Sequence, residues 1–243
     1  MGRSMLETYY AGVYWLNRPE TSQDCARRAE TYFRLLASLD PTWARWFGKA
    51  DTFEEALKLR IDPVAATFEA LFAQKENQLP IDGYSLGLWN GEQHPGATST
   101  DFACGISSHF LSNACVLEPP TPARSPHGER IVNASTMTQV LRAMAIAWEP
   151  DRGVAMSHSH REMLRKDGKL PPMLVGWVTY LSRRRGPIPP LPAPVRVEPV
   201  EELGTLITLT PERFTADNPS HVELATHVRS LLDQAGLLSP PQP

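Results

Sequence analysis

Apolar residues recur at helical spacing over the first eighty positions, alternate through the middle of the chain, and return to helical spacing near its C-terminus. Thr8 to Leu16 is an apolar run that predicts a strand, ended by Pro19. Thr21-x-x-Asp24 then opens a helix carrying Ala26, Ala29, Phe33, Leu36 and Leu39 on one face, with Asp40-Pro41 as its stop. Asp51-x-x-Glu54 caps a short helix. Asp62-Pro63 starts another, with Val64, Phe68, Leu71, Phe72 and Leu79 facing inward. Tyr84, Leu86 and Leu88 mark the change to a two-residue period, Trp89-Asn90-Gly91 reads as a turn, and strands continue near 98–107 and 113–117.

Pro119 to Gly128 reads as a loop, and Thr136-x-x-Gln139 as a capping box before Met137, Val140, Leu141, Met144 and Trp148. A strand around Val154 and a polar segment through Lys169 lead to a strand at Gly176-Trp177-Val178-Thr179-Tyr180. From Gly186 to Pro199 there are six prolines in fourteen residues. Proline fixes φ and removes a donor, so this arm is extended and cannot be a central strand. Gly204 to Leu209 is a further strand. Asn218-Pro219 caps a last helix with Val222, Ala225, Val228, Leu231 and Leu232 inward and Gly236 at its end. Helices flank strands without regular βαβ alternation. The reading is α+β: a mostly antiparallel central sheet flanked by amphipathic helices, one domain over 1–238 and a loose tail at 239–243.

Composition narrows the function. A chain of 243 residues with 42% hydrophobic residues can build a real core. Its 24 basic and 27 acidic residues leave a net charge of −3, which argues against a general nucleic-acid binder. Cys25, Cys104 and Cys115 are too few and too scattered for a disulfide framework or a zinc knuckle. The N-terminal stretch shows no signal-peptide pattern, Leu6 breaks the myristoylation pattern, and no apolar run reaches the ~20 residues of a membrane span. A soluble cytoplasmic protein without a cofactor is expected.

Two motifs carry candidate chemistry. Gly83-Tyr84-Ser85-Leu86-Gly87 matches the G-x-S-x-G nucleophile elbow, in which a buried strand turns sharply into a helix. Here no buried strand precedes it and no helix follows, and the alternation puts Ser85 on the polar face of a strand. A small serine hydrolase using Ser85 is kept as the alternative function. His158-x-His160, with Glu162 nearby, could begin a metal site on a strand, but no convincing third ligand appears, and a solvated turn fits better. The other histidines are scattered. Arg183-Arg184-Arg185 reads as a solvated strand exit. Glu198, Glu201 and Glu202 form one acidic cluster and Asp51, Glu54 and Glu55 another. Trp43 and Trp46 lie in an inter-helix loop, where tryptophan can serve as an interface anchor.

Tyr9-Tyr10-Ala11-Gly12-Val13-Tyr14-Trp15, Trp89-Asn90-Gly91, Trp148-Glu149-Pro150, Gly176-Trp177-x-x-Tyr180, the arm with Leu191-Pro192, Gly204-Thr205-Leu206 and Ala235-Gly236-Leu237-Leu238, in that order, resemble the bacterial immunity protein 52 family over nearly the whole chain. The resemblance implies an antitoxin-like role against polymorphic toxins with a restriction-endonuclease-like nuclease domain, some delivered by type VI secretion. It implies no catalytic residues; from composition and hydropathy, no cofactor, no direct nucleic-acid contact and no membrane contact are expected. A nuclease surface that grips phosphates is cationic, so an acidic inhibitor surface speeds encounter and blocks the cleft. Glu198, Glu201 and Glu202 beside the stiff arm are the first candidates for that surface, and Asp51, Glu54 and Glu55 the second.

Overall fold

The computed structural model describes residues 6–239 except 81 and 109. The reading of the N-terminal residues 1–5, most of the expected tail and His109 lie outside the described residues. Ten strands form one sheet with every pairing antiparallel: β3-β2-β4-β5-β6-β1-β7-β8-β10-β9. In chain order these are β1 Tyr9–Leu16, β2 Trp46–Gly48, β3 Arg60–Ile61, β4 Tyr84–Trp89, β5 Ser99–Cys104, β6 Ser112–Glu118, β7 Arg152–Ser157, β8 Val178–Ser182, β9 Arg196–Val200 and β10 Gly204–Thr208. The helices are α1 Ser22–Leu39, α2 Phe53–Ala56, α3 Ala65–Phe72, α4 Pro126–Ile131, α5 Ala134–Trp148, α6 His158–Met163 and α7 Pro219–Gln234. This is the expected α+β fold on a single sheet.

The period-two pattern decides which residues meet. Tyr9, Ala11, Val13 and Trp15 of β1 face α5 and α1 and join the main core with Phe33, Phe102, Trp148 and Leu206. The intervening Tyr10 faces the other side, where it packs with Val154 and Met156 in a smaller cluster against Leu164 and Leu174. Aromatic contacts tie the main core together: Trp15 stacks on Trp148 at 5.5 Å, and Phe33 on Phe68 at 5.3 Å. Gly176 is required by packing. A Cβ there would stand 2.5 Å from Val154 Cγ2 and 2.7 Å from Met156 Cβ.

Several local expectations are corrected. The α1 capping box holds, with Asp24 N–H donating to Thr21 Oγ1 and Thr21 N–H to Asp24 Oδ2. The α5 box does not: the helix starts earlier, capped by Asn133, whose Oδ1 accepts the Thr136 N–H at 2.9 Å. The α2 cap is Thr52 rather than Asp51. Asp62-Pro63 precedes α3 by a turn, so its cap is Val64 and Leu79 falls outside the helix. The 119–128 stretch is not all loop, since it enters α4 at Pro126. The proline arm ends in an edge strand, β9, as its missing N–H groups require.

Candidate functional site

Ser85 lies mid-strand. Leu86 and Leu88 point into the core, so Ser85 points to the opposite face, in register with Ala103 of β5. β4 runs on into the turn at Asn90 and not into a helix, and among the described residues no hydrogen bond joins Ser85 to a histidine. The elbow geometry that exposes a nucleophile is missing.

The His158–His160 segment is neither a strand nor a solvated turn. Ser157 accepts the His160 N–H at 3.0 Å and starts α6, which aims the two imidazoles differently. His158 packs on Tyr10 at 5.0 Å and stands 3.9 Å from Glu118. His160 is buried against Phe214 at 4.7 Å, with no partner for Nδ1, and burial pulls its pKa down to about 4. Glu162 turns away to Arg165 at 2.9 and 3.0 Å. Among the described residues no three His, Cys, Asp or Glu side chains converge as metal ligands.

Trp43 and Trp46 are not exposed anchors. Both are fully buried; Trp43 Nε1 donates to Thr98 Oγ1 at 3.0 Å, and Trp46 Nε1 to the Trp43 carbonyl at 2.8 Å. The loop between α1 and β2 folds inward because these two rings fill the core beside Phe33. Tryptophan enrichment at interfaces is a weaker signal than its tendency to bury.

The acidic clusters sit at opposite edges of the sheet. Glu198, Glu201 and Glu202 belong to β9 and its turn into β10, whereas Asp51, Glu54 and Glu55 surround α2 beside β2 and β3. Nine strand spacings separate the edges, about 43 Å before twist. Glu202 is tied to Arg183 at 2.5 Å, while Glu198 and Glu201 have no ion pair among the described residues. Beside Asp51, Glu54 and Glu55 the surface exposes Leu57, Leu59 and Val64. The arm is no free rod, because Ile188, Leu191 and Val195 pack against the core.

One constellation escaped sequence reasoning. On the sheet face opposite α5, Tyr14 of β1 lies in register with Arg152 of β7, and Arg161 of α6 faces the same cleft. The Arg152 guanidinium lies over the Tyr14 ring at 5.5 Å and that of Arg161 over Tyr10 at 5.8 Å. Burial pushes the Tyr14 hydroxyl pKa up, and the two arginines pull it back. The pairing of β1 with β7 creates this group, and spacing along the chain gives no hint of it.

No curated protein matches this sequence. Among solved structures, the T6SS protein PA0821 of Pseudomonas aeruginosa is similar, with a TM-score of 0.57 at 15% identity, covering 93% of this chain and 73% of that one. At that identity the likeness speaks for the fold. The model of the family described as immunity protein 52 matches residues 7–241. The ordered landmarks from Tyr9 to Leu238 all fall within that match, and the chain belongs to the immunity protein 52 family.

Proposed function

We propose that this protein is the antitoxin of a nuclease toxin, a restriction-endonuclease-like DNase effector of a type VI or polymorphic toxin system. It binds the toxin in the bacterial cytoplasm and occludes its active site or DNA-binding surface, without catalysis of its own. The observation that carries the reading is the family match over nearly the entire chain. The fold likeness to a T6SS protein fits a type VI setting.

A stable interface takes about 800 Å² from each partner, a patch roughly 30 Å across, so one toxin cannot cover both acidic edges. The β9 edge is the favoured surface. Its unpaired Glu198 and Glu201 suit a phosphate-gripping partner, and the packed arm beside it loses little entropy on docking. The α2–β3 corner, with its exposed Leu57, Leu59 and Val64, is the competing surface.

Co-expression with the toxin encoded beside this gene is the test. Protected cells, and DNA cleavage abolished at a 1:1 ratio, are expected; equal killing with and without this protein overturns the immunity reading. Glu198→Lys with Glu201→Lys weakens toxin binding if β9 is the docking edge, and unchanged affinity moves the interface elsewhere.

A further inference from the structure

The cleft between β1, β7, α6 and the Leu170–Leu174 segment holds two guanidinium groups that make no side-chain ion pair or hydrogen bond among the described residues; Asp151 and Glu162 act on them only through space. It encloses about 190 Å³, lined by Tyr14, Arg152, Val154, Arg161, Leu170 and Pro171. Neither the Arg152 nor the Arg161 guanidinium makes a hydrogen bond or ion pair among the described residues; each lies over the face of a tyrosine. The two carboxylates that act on them are engaged elsewhere: Asp151 accepts the Leu16 N–H at 3.2 Å, and Glu162 pairs with Arg165 at 2.9 Å. Other half-buried arginines of the chain are satisfied. Arg18 and Arg28 pair with Glu20 at 3.0 and 2.6 Å, Arg213 with Glu129 at 2.8 Å, and Arg185 donates to the carbonyls of Asp151, Leu237 and Ser239. A guanidinium stays charged at any working pH, and taking it out of water without a partner is costly.

The rest of the cleft fits an acid with an apolar stem. Val154, Leu170, Pro171 and Leu174 form apolar walls, and the arginines bring the charge. An engineered cavity of about 150 Å³ holds a benzene molecule, so a carboxylate on its methylenes has room here. Arginine's planar fork matches a carboxylate bidentately, and closure over it excludes the water that weakens exposed pairs. Along the sheet the cleft lies three strand spacings from β9, about 14 Å, but on the face opposite Glu198, whose register partner Leu206 faces the main core, so a partner that takes both wraps the β9 edge.

We propose that this cleft is a carboxylate-binding pocket that receives an Asp or Glu side chain of the toxin, clamped by Arg152 and Arg161. The proposal rests on the immunity reading. The pocket complements the acidic β9 edge: that edge meets the toxin's cationic surface, and the pocket reads an acidic residue beyond it and fixes the register.

The test measures toxin affinity for the full chain and for Arg152→Gln, Arg161→Gln and the double variant, each checked by thermal melting. Arg27→Gln, an exposed residue of α1 paired with Asp24, is the control. The double variant is expected to bind roughly 30-fold or more weaker, with the control unchanged. Removing one partner of a desolvated pair accounts for that size. In the wild-type chain, the side-chain Nε–H signals of Arg152 and Arg161 should shift on saturation with toxin. That second readout holds even if a variant melts early. A double variant within twofold of wild type, or both signals unmoved, overturns the pocket while leaving the immunity reading intact. A wild-type chain that does not bind the toxin at all removes the immunity reading and this proposal with it.

Discussion

His160 shows how one side chain can set the pH dependence of the whole fold. It is fully buried beside Phe214 and its Nδ1 has no partner, so the folded state holds it neutral, with a pKa of about 4. The unfolded chain protonates near pH 6.5 and therefore binds more protons throughout the interval between. Stability from this site is present above about pH 6.5 and is lost as the pH falls towards 4. Unfolding by urea at pH 7.5 and pH 4.5 should differ by roughly 2–3 kcal/mol on account of this residue. His160→Phe keeps the ring packing and should lose that part of the pH slope; a slope equal to wild type would exclude His160 as its source.

Among the elements, α5 is the one against which the sheet is built, and its start separates two readings of the same sequence. Thr136 and Gln139 look like a capping box, but Asn133 three residues earlier takes the Thr136 N–H and also donates to the Arg130 carbonyl. Asn133→Ala should cost roughly 1–2 kcal/mol and Gln139→Ala only a few tenths, measured by chemical denaturation. Equal costs would restore the sequence reading. The ambiguity is physical, because Asn and Thr both cap well and only the start of the α5 packing face chooses between them. Strands with clean alternation, such as Tyr84 to Leu88, were legible for the opposite reason: one face is buried and a one-residue slip inverts it. What could not be read was the partner of each strand. Tyr14 and Arg152 stand far apart in the chain and meet only through the β1–β7 register. The candidate pocket was therefore invisible, while Trp43 and Trp46, whose loop position made them candidate interface anchors, are core.

At the scale of the whole molecule, a partner that binds only the folded state stabilises it by mass action. At toxin a thousandfold above Kd this adds about 4 kcal/mol. For a chain of this length the unfolding midpoint should then rise by about 8–10 °C. Differential scanning calorimetry of the free chain and of its mixture with the toxin measures it. A midpoint unchanged at saturating toxin would mean that the partner binds folded and unfolded chains alike.

An open sheet of ten strands has two ends at which another chain could add itself. At one end β3 is only two residues long. At the other, Pro199 interrupts β9 with a residue that has no N–H, and Arg142 already donates to its carbonyl at 2.8 Å. An incoming strand finds neither donor nor acceptor there. Strand addition is thus blocked at Pro199, near the C-terminal end of β9, both for a second copy of this protein and for a toxin segment. Recognition at Pro199 runs through side chains, which permits specificity for one toxin while shortening the template on which the protein could polymerise as it waits for that toxin.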